Sequence, residues 1–124
     1  MRASANLRNW LAFLTLRMDE SLFFANASYL EDEVFNQVYH HDRITHVVLM
    51  CSAVNEIDYS ALEVLEELDR QLSEQGLLLH LSEVKGPVLD RLRGTEFMDH
   101  LSGNIYLSQH QAFTDLCDRF RYLV

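Results

Sequence analysis

The sequence predicts an α/β sandwich, a mixed and mostly parallel β-sheet with about four helices in the order ββαβαβαβα. Three observations predict it. Short β-branched and apolar runs alternate with segments whose apolar residues recur at helical spacing. The runs Thr45–Ser52 and Leu77–Leu81 are nearly continuous in apolar residues, as strands covered on both faces must be. Strands separated by helices at short intervals pair in parallel, because each helix carries the chain back to the end where the last strand began.

The elements follow in order. Trp10–Met18 and Ser21–Phe24 are apolar runs separated by Asp19-Glu20, which predicts two strands or one strand with a bent continuation. Ser28 with Glu31 three residues on has the spacing of a capping box, and Leu30, Val34 and Val38 repeat every fourth residue, so a helix is predicted from Ser28 until Asp42-Arg43 breaks it. Thr45–Ser52 is the central strand. Ser60 and Glu63 form a second capping box, followed by an apolar stripe of Leu62, Leu65, Leu68 and Leu72 that ends at Gly76. Leu77–Leu81 is a buried strand. Gly86-Pro87 is a turn with proline at the first helical position, opening a short helix with Val88, Leu89 and Leu92. Asn104–Leu107 is a short strand, and Ser108 with Gln111 caps a last helix lined by Ala112, Phe113, Leu116 and Phe120.

The 124 residues suit one domain, and no repeat, linker or change of composition divides them, so residues 10–124 are read as a single unit. Met1–Asn9 is polar, carries Arg2 and Arg8 and has no period; it is read as a flexible, frayed end or the remnant of a longer chain. Apolar residues at 48% and charged ones at 23% are enough to build a core and exclude a disordered tail. Nineteen acidic against ten basic side chains give a formal charge of −9, which repels phosphate backbones and anionic lipid and excludes a general nucleic-acid binder. Apolar runs such as Val47–Cys51 fall far short of the roughly 20 residues that cross a bilayer, and Met1–Glu20 lacks the apolar block of a signal peptide. A soluble chain is expected. Cys51 and Cys117 read as reduced structural thiols, one in an apolar run and one in a helix, and not as a disulfide frame.

Little in the chain points to bond-making chemistry. The six histidines are scattered, without the spacing of a metal site. His40-His41 falls at a helix C-terminus, where imidazolium complements the dipole. His80 lies between leucines in a strand and reads as a hydrogen-bonded structural residue. Zinc-protease, nucleophile-elbow, Walker and dinucleotide fingerprints are all missing, so neither metal nor cofactor is expected and the chain is not read as an enzyme.

The informative stretch is Ser52-Ala53-Val54-Asn55-Glu56-Ile57, which leaves the central strand and enters the best helix through Asp58-Tyr59-Ser60. Together with Phe23-Phe24-Ala25-Asn26-Ala27 upstream and Glu83-Val84-Lys85-Gly86-Pro87-Val88 downstream, it resembles the STAS domain of sulfate permeases and anti-anti-sigma factors. The similarity runs from Leu16 to Asp118. The wording from Arg17 to Ala27 is most similar to the C-terminal cytoplasmic STAS domain of the sulfate permease (SulP) anion transporters. The resemblance implies a STAS-like (SpoIIAA-like) sandwich and a non-catalytic regulatory or interaction module. It would lie at the cytoplasmic face of the inner membrane, below a transporter of sulfate or a related inorganic anion or dicarboxylate. Its implied partners are the transmembrane domain of the same transporter, a second copy in a homodimer, and a nucleotide or an acyl carrier protein.

The same resemblance admits a second function, the free-standing anti-anti-sigma switch, whose phosphoacceptor serine matches Ser60. A helix start suits phosphate, because its first N–H groups lack partners and the dipole is positive there. Against that, there is no Lys or Arg between Arg43 and Arg70, while Glu56, Asp58, Glu63, Glu66, Glu67 and Asp69 cluster around the turn. Tyr59 before the serine and Ala61 after it also depart from the switch pattern. Ser60 is therefore read mainly as a helix cap, with Asp58 able to cap in its place. Asn55, Asp58, Ser60, Lys85 and Gly86 should gather where the strands end, the crevice in which open α/β sheets bind ligands. Lys85, with Arg91 and Arg93, is the local source of positive charge for an anion or acidic partner. Trp10, Phe13, Phe23 and Phe24 have two readings, a partner contact or core filling beneath the first helix.

Overall fold

Val47, Val48 and Leu49 are wholly buried, and the strand they form is the middle one of five. The computed structural model describes residues 5–7, 13–41 and 43–122, with side chains over 13–41 and 43–117. Strands β1 (Ala5–Leu7), β2 (Phe13–Arg17), β3 (His46–Met50), β4 (Leu78–Ser82) and β5 (Ile105–Tyr106) lie side by side in that order. β2 through β5 are parallel, and β1 is an antiparallel edge. Helices α1 (Phe24–Tyr39), α2 (Tyr59–Glu74), α3 (Gly86–Leu92), α4 (Glu96–His100) and α5 (Gln109–Tyr122) connect and cover them. The fold is the mixed α/β sandwich the alternating pattern predicts, with five helices among the described residues in place of about four.

Register sorts the strands into two faces. Leu14 and Leu16, Val47 and Leu49, and Leu79 and Leu81 pack into the larger core with Leu30 and Val34 of α1, Leu65, Leu68 and Leu72 of α2, and Phe97 of α4. The opposite face carries Phe13, Val48 and Tyr106 beneath Ala112 and Leu116 of α5. Two buried polar groups on this second face are joined by one glutamine: Ser82 Oγ donates to Gln109 Oε1 (2.5 Å), and Gln109 Nε2 donates to Thr15 Oγ1 (3.0 Å). That pair of bonds fixes α5 to β4 and β2 at its first residue.

Several boundaries differ from those the sequence predicts. Ala5–Leu7, within the segment read as a frayed end, pairs with Leu14–Leu16 as an antiparallel strand, and a strand of three residues is too short to show a period. Ser21–Phe24 is no strand. Leu22 makes a single parallel bridge to Ile57, and α1 begins at Phe24. The start of α1 is set by Asn26, whose Oδ1 accepts from Phe23 N (2.7 Å) while its Nδ2 donates to Ser21 O (2.7 Å). Ser28 therefore sits inside the helix, its serine–glutamate spacing a coincidence of composition. α2 ends as Gly76 implies: the glycine takes φ 82°, Gly76 N donates to Ser73 O and Leu77 N to Leu72 O, the paired bonds of a left-handed helix stop. The added helix, α4, is only five residues long, capped by Thr95 Oγ1 and held by the buried ring of Phe97.

The turn before β5 is tightly packed. A Cβ on Gly103 would meet Leu79 O and would lie 2.5 Å from His80 Nδ1, so glycine is the residue that fits. Beside it, Asp69 of α2 is buried and accepts from Ser102 N (3.1 Å) and Ser102 Oγ (2.5 Å), and Ser102 Oγ in turn accepts from Leu79 N (3.0 Å).

Candidate functional site

The carboxyl ends of β2, β3 and β4 open into a corner built mostly from backbone bonds. Cys51 N donates to Ser82 O (2.8 Å) and Val54 N to Cys51 O (3.0 Å), which turns the chain out of β3. The turn then meets the segment before α1: Leu22 N donates to Glu56 O (2.8 Å), Asp58 N to Leu22 O (3.1 Å), and Asn55 N to Ser21 Oγ (3.1 Å). Arg91 of α3 clamps it from the other side, Nε donating to Ile57 O (2.8 Å). Val54 and Ile57 are buried beneath, so residues 51–58 are a held loop with two apolar anchors.

Each residue singled out in the sequence has a place here. Asp58 caps α2, its Oδ1 accepting from Ala61 N (2.8 Å). Ser60 is not the cap: the helix has already begun at Tyr59, so Ser60 is its second residue, exposed and helical. The serine–glutamate spacing was satisfied two residues too late, because an aspartate stood upstream with the extended backbone a cap requires. Lys85 Nζ donates to Asn55 Oδ1 (2.6 Å), joining the two loops at the exposed surface. Gly86 is the first residue of α3, and a side chain there would meet open space. Glu83 takes φ 56°, a left-handed conformation unusual for glutamate, three residues before that helix.

The positive charge is smaller than the sequence suggested. Arg91 spends Nε on a loop carbonyl, and Arg93 pairs with Asp90 on its own helix (3.4 Å). Lys85 is exposed, its ammonium joined to Asn55 Oδ1. At the edge of the corner, the Asn26 amide holds the Glu20 carboxyl below its ordinary range. Cys51, under the turn, is buried, and burial pushes its thiol up to about 12, so it is no nucleophile at neutral pH.

The aromatic residues divide. Phe13 is core, meeting Phe113 edge to face at 5.8 Å. Phe23, Phe24 and Tyr59 are 44%, 60% and 70% exposed, and all three stand where α1 and α2 leave the corner. Trp10 lies outside the described residues. Ser21 and Arg91 are contacts that sequence spacing does not carry, since both act on backbone atoms more than thirty residues away in sequence. A hollow of about 630 Å³ lies elsewhere, between α2 and α4, lined by Glu63, Glu66, Glu67, Arg70, Phe97 and His100. Among the described residues no helix is long and apolar enough to cross a membrane.

Comparison with known proteins gives the corner its context. The family model of the STAS domain matches residues 5–112. In Arabidopsis thaliana, the protein named Probable sulfate transporter 3.4 is 30% identical over 119 residues, covering 88% of this chain and 18% of the transporter. The chain thus spans less than a fifth of that relative's length. The murine anion transporter Solute Carrier 26 family member A9 superposes with a TM-score of 0.77 at 15% identity, over 87% of this chain and 18% of the transporter. A Thermotoga maritima protein assigned to the anti-sigma factor antagonists superposes as well, with a TM-score of 0.76 at 19% identity over 92% of this chain and 93% of its own. The two superpositions establish a shared fold, and the family match over most of the chain establishes kinship: this chain belongs to the STAS domain family.

Proposed function

We propose that this chain is the regulatory and docking STAS domain of a SulP-type transporter of sulfate or a related anion, held at the cytoplasmic face of the inner membrane. The carrying observation is the 30% identity to a sulfate transporter across 88% of the chain, because the fold alone is shared equally with anti-sigma factor antagonists. Docking suits the corner, which offers exposed Phe23, Phe24 and Tyr59, while Asp58 caps α2 and Lys85 Nζ is joined to Asn55 Oδ1. Its natural partner on this reading is the transmembrane domain of the same polypeptide, with a second copy, a nucleotide or an acyl carrier protein as further partners of the Asn55–Lys85 loops.

The phospho-switch is the second reading, and one observation favours it: Ser60 is exposed in the first turn of α2, open to a kinase. Phosphate there would face Asp58 and Glu63 with no cation between Arg43 and Arg70. One experiment separates the two. Anion uptake is measured in cells carrying the full reading frame that encodes this chain, intact or lacking residues 13–117. Membrane segments upstream and loss of uptake on deletion are expected. A frame without such segments, together with kinase-dependent phosphate on Ser60, would establish the switch instead.

A further inference from the structure

Between Arg43 and Arg70 the chain carries six carboxylates and neither lysine nor arginine, and four of the six lie on α2. Glu63, Glu66 and Glu67 line the hollow of about 630 Å³ between α2 and α4. A smaller recess of about 300 Å³ continues it toward the start of α2, sharing Glu63, Glu66 and Phe97 and adding Tyr59, Gly94 and Glu96. The two make one trough along α2, with Tyr59 at one end and Glu74 at the other. A helix of sixteen residues is about 24 Å long, the reach of about seven extended residues.

The two ends of the trough differ in charge balance. At the far end Arg70 Nε donates to Glu67 Oε2 (2.9 Å) and Arg70 Nη1 to Glu74 Oε1 (2.5 Å), so a guanidinium already fits between carboxylates there. His100 lines the same end, and Asp69 is engaged with Ser102. At the Tyr59 end, Glu63, Glu66 and Glu96 make no ion pair among the described residues. Arg93, next to Gly94, pairs with Asp90 on its own helix.

This chemistry selects the occupant. Uncompensated carboxylates repel phosphate, anionic lipid and the same face of a second copy. Among the described residues the carboxylates are not grouped to hold a metal ion, so the charge calls for cations spread along a chain. Tyr59 is 70% exposed and lines the recess with the three unpaired glutamates, which gives an arginine or lysine both a ring face and a carboxylate. Segments that flank membrane spans on the cytoplasmic side are rich in lysine and arginine, and the reading above puts this domain beside them.

We infer that the trough between α2 and α4 receives a lysine- and arginine-bearing segment flanking a membrane span of the same polypeptide, with one cation seated among Tyr59, Glu63, Glu66 and Glu96. The choice of segment rests on the transporter reading above, whereas the preference for cations rests on the trough alone. Exposed ion pairs are individually weak and screened by salt, so the contact draws its hold from several cations on one tether.

The trough is tested with the chain itself. The probe is a synthetic peptide of about ten residues in which arginine alternates with serine, titrated while backbone amide chemical shifts are followed. Shifts confined to residues 59–74 and 94–100 are expected, with affinity falling several-fold between about 0.05 M and about 0.2 M salt. Glu63→Lys should weaken the peptide about fivefold or more, while Asp32→Lys, the same change of net charge at an exposed position on α1, should weaken it less than about twofold. If Glu63→Lys does not fold, the shift map of the parent decides alone. No binding to the parent, shifts spread over every acidic face, or equal losses from the two variants would each overturn the trough. The segment is tested in the full polypeptide in its membrane, where carbodiimide, which joins carboxylates to lysine ammonium groups, should couple Glu63, Glu66 or Glu96 to a lysine adjoining a span. Failure to couple, with spans present and anion uptake intact, overturns the docking and leaves the transporter reading standing. A reading frame without spans overturns both.

Discussion

Lys85 Nζ donates to Asn55 Oδ1 at 2.6 Å, so two loops thirty residues apart in sequence meet through their side chains at the surface of the corner. Because the bond is exposed, its contribution to folding is small: Lys85→Ala should lower unfolding free energy in urea by less than about 1 kcal/mol. The same change should weaken binding to an acidic partner several-fold. Titration of the isolated partner against both forms separates these effects.

Asp58 and Ser60 give opposite outcomes at the same helix start. Asp58→Ala removes the acceptor of Ala61 N and should cost about 1 kcal/mol, whereas Ser60→Ala should stay within about 0.5 kcal/mol of the parent. Urea midpoints at neutral pH check both. A larger loss from Ser60→Ala would return the cap to the serine.

Gly103→Ala drives a methyl into Leu79 O and the His80 ring. Backbone on one side and a hydrogen-bonded ring on the other leave little to yield, so about 3 kcal/mol of destabilisation is expected, measured by thermal or urea unfolding. Gly86→Ala, which meets open space, is the control and should change stability by well under 1 kcal/mol.

Asp69→Ala strips the acceptor from both Ser102 N and Ser102 Oγ in a buried site. A loss of about 2 kcal/mol is expected, accompanied by faster hydrogen exchange in residues 101–104. Asp69→Asn, which keeps one acceptor oxygen, should recover part of it.

Glu67 on α2 is held down to about 2, first by its hydrogen bond with Arg70 and then by Gln71. A carboxylate lowered on folding stabilises the fold above its ordinary value near 4.5, and that contribution is lost as pH falls through about 2. The pair is exposed, so the effect is small and screened by salt. The unfolding free energy of the parent minus that of Glu67→Gln should therefore shrink between about pH 5 and about pH 3, more visibly at low salt.

What could be read from the sequence depended on periodicity. The leucines of α2 recur over about three turns and Gly76 supplies a conformation other residues resist, so that helix and its stop are plain. The central strands were plain for the same reason, since continuous burial leaves continuous apolar runs. α4 and β1 are too short to show a period. At the corner, Asn55, Asp58 and Lys85 were identifiable because chain order brings them to one end of a parallel sheet. The clamps from Ser21 and Arg91 were not, because a side chain that binds a distant main-chain atom imposes no spacing on its neighbours. The start of α1 lies upstream of the Ser28–Glu31 spacing, because Asn26 caps the helix from inside its first turn.

The rung between Leu22 and Ile57 has a mechanical consequence. It rivets the approach to α1 onto the approach to α2, one residue from the exposed Phe23 and one from Asp58. Any protein that grips the phenylalanines tugs on the foot of the neighbouring helix directly, so a pull delivered at one aromatic handle travels sideways along the rim and need not pass through the packed interior.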